Sequence, residues 1–128
     1  MGKILKLALY SFVLFAFSNY AQPAIADANT SRGVAVFSSN CAVCHSAAPS
    51  ENRIGPSLSG VIGRKAGTYH GFNYSQAMTK SGVVWNAETL TRFLRDPQIT
   101  VPQTRMAFPG VSDDADRAAL IEYLTSLK

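Results

Sequence analysis

Five consecutive residues constrain this chain more than any others: Cys41-Ala42-Val43-Cys44-His45. The spacing fits covalent attachment of haem, each thiol adding to one porphyrin vinyl group to give a thioether. His45, directly after the second cysteine, is then placed to bind the iron from one side. Three other uses of the pattern compete. A disulfide across so short a loop removes little chain entropy. A thioredoxin-like redox pair sits beside a βαβ pattern, and no stretch here alternates strongly enough to suggest a sheet. A structural zinc site takes four ligands, and the 128 residues contain only two cysteines and two histidines. A histidine placed directly after the pair, in an exported helical chain, selects haem.

Export is read from the start of the chain. Lys3 and Lys6 give a positive beginning, Ile4 to Phe17 is nearly all apolar, and Ala24-Ile25-Ala26 offers a small-x-small cleavage pattern. Residues 1–26 are therefore expected to be a secretory signal peptide, cut after Ala26. An uncleaved membrane anchor is the rival, but the apolar run of about 14 residues is shorter than the roughly 20 that a spanning helix needs. A core helix is disfavoured because the run has no polar face. The expected location of the remaining domain, residues 27–128, is the periplasm. Losing Lys3 and Lys6 lowers the formal net charge from +4 to +2, and the chain has no dense basic run. Nucleic acid is thereby excluded as a partner.

A domain of about a hundred residues buries a modest fraction of its surface and often leans on a cofactor or cross-link. The apolar spacing predicts a first helix from a cap at Asn29 or Thr30 to about Asn40, with Gly33 and Phe37 on one face. A short helix is expected within Gly71 to Lys80. Another opens at Asn86 and runs to Arg95, with Leu90, Phe93 and Leu94 as its stripe, and Pro97 ends it. Gln98 to Val111 reads as loop. Asp113 or Asp114 then caps a last helix carrying Leu120, Ile121, Leu124 and Leu127. From Ala47 to Gly71 the chain is rich in Pro, Gly, Ser and Asn. So long a structureless stretch makes sense if it wraps a ligand that supplies missing core. The expected fold is all-α: a small domain of helices and long loops.

A haem that only carries electrons needs its sixth iron position filled by protein. Outside the attachment motif the candidates are His70, Met78 and Met106. Met78 lies on an expected helix, where a lone methionine is usually a core gap-filler. His70 sits beside Gly71 in a loop, the ordinary setting of a solvated histidine. Met106 stands in an apolar, proline-anchored loop, Val101 to Pro109, far enough along the chain to reach the other haem face. Met106 is favoured, with His70 second. A thioether favours Fe(II), so His/Met ligation raises the potential. With both positions filled no site is left open for substrate, which argues for carrying rather than catalysing.

These residues resemble the class I c-type cytochromes, mitochondrial cytochrome c and its close bacterial relatives. The resemblance covers nearly all of residues 27–128. Gly33 and Phe37 match a first-helix pair that packs on the last helix, at Leu120 and Tyr123. Gly55-Pro56-Ser57-Leu58-Ser59-Gly60, Gly63 to Gly67 and Gly71 to Ser75 match further stretches. The resemblance implies a small cytochrome c fold wrapped around one covalently attached haem c, held by Cys41 and Cys44, with His45 and Met106 as axial ligands. It implies that the Pro56 carbonyl accepts from the ligand histidine's other nitrogen. Arg64, Tyr74, Ser75 and Trp85 then correspond to residues around the haem propionates, and Thr104 to part of the methionine loop. Gln103 stands where the family's Pro-Gly-Thr turn has glycine. A type II turn there would force Gln103 to positive φ, at roughly 1 kcal/mol.

The function so implied is single-electron transport, not catalysis. Its partners would be redox proteins: a quinol-oxidising cytochrome complex, a dehydrogenase, an oxidase, a peroxidase or a photosynthetic centre. Contact with membrane complexes would be transient and the carrier a monomer of a respiratory chain. Arg92, Arg95, Arg105 and Lys65 are candidates for a basic rim that steers acidic partners. Two alternatives remain at this point: a haem enzyme or gas-binding protein with a labile sixth position, and a subunit that stays docked to a dehydrogenase.

Overall fold

The structure is a computed structural model, and it describes residues 23–128. Most of the expected signal peptide, residues 1–22, lies outside the described residues. The described residues form five helices in chain order: α1 Pro23–Asn40, α2 Gln76–Lys80, α3 Ala87–Arg95, α4 Pro97–Thr100 and α5 Asp114–Ser126. Among the described residues the only strand-like pairing is an isolated antiparallel bridge between Lys65 and Val84. The all-α expectation holds.

Helix α1 begins earlier than Asn29 or Thr30. Proline suits a first helical turn, and no helix breaker separates Pro23 from Gly33. Residues 27–32 are all exposed, so this stretch of the helix rests on backbone bonds rather than on burial. The burying face starts at Gly33 and continues through Val36 and Phe37. It meets α5 closely: a Cβ on Gly33 would stand 2.3 Å from the Ala119 carbonyl oxygen and 2.8 Å from the Tyr123 Cβ. One turn on, Phe37 meets the Tyr123 ring edge-on at 5.3 Å between centroids. Leu120 is wholly buried beside them. At the exposed end of the junction Arg32 pairs with Asp113 at 3.2 Å and Asp116 at 2.5 Å.

Helix α3 starts as expected. The Asn86 side chain accepts from the Thr89 N–H at 2.8 Å, and the Thr89 hydroxyl accepts from the Asn86 N–H at 2.9 Å. Leu90, Phe93 and Leu94 are buried. The chain past Pro97 departs from the expected loop. Asp96 accepts from the N–H groups of Gln98 and Ile99, both at 3.1 Å, and α4 forms. Proline ends one helix and opens the next because its missing N–H is harmless only in a first turn. Helix α2 is shorter than the stretch allowed for it, since Ser75 caps it by accepting from the Met78 N–H at 3.2 Å. Asp113 is the cap of α5.

The long non-helical course from Ala47 to Ser75 is held by its short polar side chains. Ser57 donates to the Ala48 carbonyl at 2.6 Å, and Asn52 accepts from the Ser57 N–H and donates to the His70 carbonyl, both at 3.0 Å. Such bonds satisfy backbone groups that a helix would pair internally. Arg117 on α5 is 2% exposed, and its guanidinium donates to the Val111 carbonyl at 2.6 Å and to Asp114. Val111 in turn donates to the Leu94 carbonyl at 2.7 Å, which fastens the end of the loop after α4 to α3.

Candidate functional site

A cavity of about 760 Å³ opens among these loops and helices. Every residue assigned to the site from sequence lines it: Cys41, Cys44, His45, Pro56, Arg64, Tyr74, Ser75, Trp85, Thr104 and Met106. Its remaining wall is mostly apolar and includes Leu58, Val61, Leu90, Phe93 and Leu94. That composition suits a large apolar group that is polar at one edge.

The cysteines are delivered by the end of α1. Cys41 donates to the Phe37 carbonyl at 2.8 Å, and the N–H groups of Cys44 and His45 return to the Cys41 carbonyl at 3.0 and 2.8 Å. This last turn sets Cys41 and Cys44 three residues apart on one face. Both are free thiols, Cys41 buried and Cys44 half-buried. Burial pushes the Cys41 thiol up to about 11, with Cys44 adding to the rise. Cys41 is therefore a neutral thiol at physiological pH, not a thiolate poised for redox exchange.

His45 Nδ1 lies 2.7 Å from the Pro56 carbonyl oxygen. A carbonyl only accepts, so Nδ1 carries the proton and Nε2 is left with its lone pair. Burial lowers the pKa of His45, and the bond to Pro56 acts in the other direction without offsetting it. Gly55 stands against the ring: a Cβ there would approach its Cε1 to 2.3 Å and its Nδ1 to 2.6 Å. The Gly55 N–H also donates to the Cys44 carbonyl at 2.8 Å.

Met106 reaches the same cavity from the loop after α4. The Thr104 hydroxyl accepts from the Met106 N–H at 3.3 Å, and the Thr104 N–H closes a turn onto Val101 at 3.1 Å. Gln98 ties this turn to α4 by donating to the Thr104 carbonyl at 3.0 Å. Gln103 has φ 65°, the positive value that a type II turn requires of it. Met78 is buried and also lines the cavity, whereas His70 is exposed, stacks on Tyr69 at 4.7 Å and lies outside the lining.

The lining also carries polar residues. Arg64 donates to the carbonyls of Ser59 and Ser57, both at 3.0 Å, and lies 4.3 Å over the Tyr69 ring. Burial lowers its pKa and raises that of Tyr74. Trp85 is buried and tilted against Phe93 at 4.9 Å. The Ser75 oxygen serves as the cap of α2 but keeps its O–H as a donor. Among the described residues no group of three or more His, Cys, Asp and Glu is arranged to hold a metal ion. The donors converging here are instead an imidazole nitrogen, a thioether and two thiols. That set fits an iron porphyrin, with His45 and Met106 available to the iron and Cys41 and Cys44 to the vinyl groups.

The expected basic rim does not assemble. Of its four residues only Arg105 lines the cavity. Arg92 pairs with Glu88 and Arg95 with Asp114, because α3 and the start of α5 place acids within their reach. Sequence reasoning also missed the close approach of Gly55 to His45, for which the Gly-Pro pair was the available signal. It missed Arg117 entirely, since burial of a single arginine leaves no mark in periodicity.

The sequence model of the cytochrome c family matches residues 30–128. The chain is 49% identical over 87 residues to cytochrome c2 iso-2 of Magnetospirillum fulvum, covering 68% of this chain and 91% of that one. It is 40% identical over 114 residues to cytochrome c2 of Blastochloris viridis, covering 88% of each. Cytochrome c of Stellaria longipes is 39% identical over 99 residues, covering 77% of this chain and 92% of that protein.

Proposed function

The chain belongs to the cytochrome c family, which carries one covalently bound haem c as a single-electron carrier, and from that premise we propose how its own residues do this. Cys41 and Cys44 would hold the haem, each S–H adding across one vinyl group to give a thioether. His45 offers Nε2 to the iron while Pro56 holds the ring in register, so that the proton on Nδ1 is never in competition for the metal. Met106 would offer its thioether to the same iron from a loop fixed by Thr104 and Gln98. Haem c provides the one-electron couple, and the thioether ligand raises its potential. Arg64, Tyr74, Ser75 and Trp85 supply the donors for the propionates, whose burial would be costly without them. The meeting of two free thiols, an oriented imidazole and a thioether in one largely apolar cavity carries this reading.

With His45 and Met106 both given to the iron, no position would be left open for substrate, and the protein would act as a carrier rather than an enzyme. Residues 1–26 serve as an export signal and the mature domain works as a monomer in the periplasm. There it passes electrons from a quinol-oxidising complex or dehydrogenase to an oxidase, peroxidase or photosynthetic centre.

Absorption spectra of the purified protein, oxidised and reduced, with a pyridine haemochrome assay test the assignment. The expected result is covalent haem in a low-spin state with the methionine–Fe(III) band, which is lost in Met106→Ala. The reduced native protein should be inert to carbon monoxide at neutral pH, and the variant should bind it rapidly. A native protein that binds carbon monoxide at once, or a colourless one with free thiols, would refute it.

A further inference from the structure

The exposed residues that line the cavity carry almost no charge. Six of the residues lining the cavity are exposed and so form its rim: Asn40, Val43, Ile54, Asn73, Arg105 and Ala107. Arg105 alone is charged, and its guanidinium donates to the Asn73 carbonyl. Val43 and Ile54 are 74% and 76% exposed, large apolar side chains turned to solvent.

Their exposure is built in rather than incidental. Arg53 donates to the Ala42 carbonyl at 3.0 Å, and the Gly55 N–H donates to the Cys44 carbonyl at 2.8 Å. The two links bracket Val43 and Ile54 and hold their backbones opposite one another. The charge adjoining Ile54 in the chain is paired, for Arg53 meets Glu51 at 2.7 Å, and Glu51 also accepts from Ser46 at 2.9 Å. A partner surface rich in carboxylates would find one guanidinium to pair with. It would strip water from its other charges against Val43 and Ile54, at a net cost.

We propose that this rim docks a redox protein whose own cofactor edge is framed by uncharged, apolar side chains. Burial of Val43 and Ile54 then holds the encounter, and salt has little influence on it. The proposal rests on the carrier reading, in which electrons leave through this mouth. A second copy of this chain presents such an edge, so electron self-exchange is the probe.

Oxidised and reduced holoprotein are mixed and the exchange rate is read from NMR line broadening between about 0.01 M and 1 M ionic strength. The native rate should change by less than about threefold over that range. The double variant Val43→Ser, Ile54→Ser should slow exchange about tenfold at every salt concentration, through lost burial alone. Val43→Lys with Ile54→Lys should be slow at low salt and recover as salt is added. Ile99→Ser should leave the rate unchanged, because Ile99 is equally exposed at 78% but lies off the rim. Ile54→Ser alone, outside the attachment motif, keeps the test open should a double variant mature poorly. As a readout independent of electron transfer, the methyl signals of Val43 and Ile54 should shift as the reduced protein is concentrated, while that of Ile99 stays.

A native rate that climbs tenfold or more with salt would reveal a charged, self-repelling rim, made for an oppositely charged partner, and would overturn the proposal. Exchange that is indifferent to both serine variants would also overturn it. Failure of the carrier reading would look different, since the absorption spectra would lack the low-spin, methionine-ligated haem.

Discussion

A Cβ at position 55 would stand 2.3 Å from Cε1 of His45, so the imidazole occupies the space that a side chain on Gly55 would take. The histidine is thus clamped from two directions, by this bare backbone and by the Pro56 carbonyl. Gly55→Ala should push the ring off Pro56 and cost about 1–3 kcal/mol of stability, the usual penalty of overpacking. Denaturant unfolding of the holoprotein measures the loss, and a changed axial-ligand spectrum shows that the ring has moved.

The crossing of α1 and α5 depends on glycine in a different way. At position 33 the obstacle is the Ala119 carbonyl, which belongs to a helix backbone and cannot swing aside. Gly33→Ala should therefore separate the two helices and cost about 3 kcal/mol, although alanine is the better helix former. A fall in the denaturant midpoint without a fall in the helical signal of the folded protein would establish it.

Gln103, at φ 65°, adopts a backbone conformation that L-residues avoid. Gln103→Gly should stabilise the protein by about 0.5–1 kcal/mol, the relieved strain less the added freedom of glycine in the unfolded chain. Urea unfolding is the measurement. No gain, or a loss, would mean that the turn is not strained.

Among the described residues no lysine lines the cavity, and residues 27–128 contain only Lys65, Lys80 and Lys128. The basic residue beside Met106 is Arg105, and a guanidinium offers no lone pair to replace the thioether. In an alkaline titration of the ferric protein the methionine band should therefore persist without conversion to a lysine-ligated spectrum. Appearance of that spectrum would show that one of the three lysines can reach the iron.

Arg117 and then Arg95 hold the Asp114 carboxyl below the usual carboxylate range. Between its folded and unfolded pKa values the unfolded chain binds the extra proton, so acid weakens the fold there. The contribution is complete above about pH 4 and disappears as pH falls through the lower folded value. Asp114→Asn should be less stable than the native protein at neutral pH, and the gap should close in acid. A gap that persists unchanged at pH 3 would assign the effect to packing around Arg117 instead.

The parts of the fold that were legible in the sequence are those where chemistry is local. Asn86 and Asp113 announce their helices because a side-chain oxygen must meet an N–H two or three residues on. The attachment motif is legible because two thioethers and a ligand fix their own spacing. The burial of Leu90, Phe93 and Leu94 follows from period alone. Features that depend on distant neighbours were not legible. Arg92 and Arg95 read as free basic surface, and only the tertiary structure puts Glu88 and Asp114 beside them. Pro97 read as a stop, when Asp96 makes it a start. Met78 and Met106 both line the cavity, and what separates them is that α2 buries the one while the loop leaves the other partly open.

The contact between Arg32 and Asp116 joins residues 84 positions apart, and the whole α1–α5 junction is of this long-range kind. Such pairings are slow to form, because a large loop must close before any contact repays it. Cys41 and Cys44 sit at the end of α1, next to that junction. Leu124 of α5 lines the same cavity as Cys41 and Cys44, so a polypeptide whose α5 has yet to dock presents both sulfurs in a pocket with one wall missing.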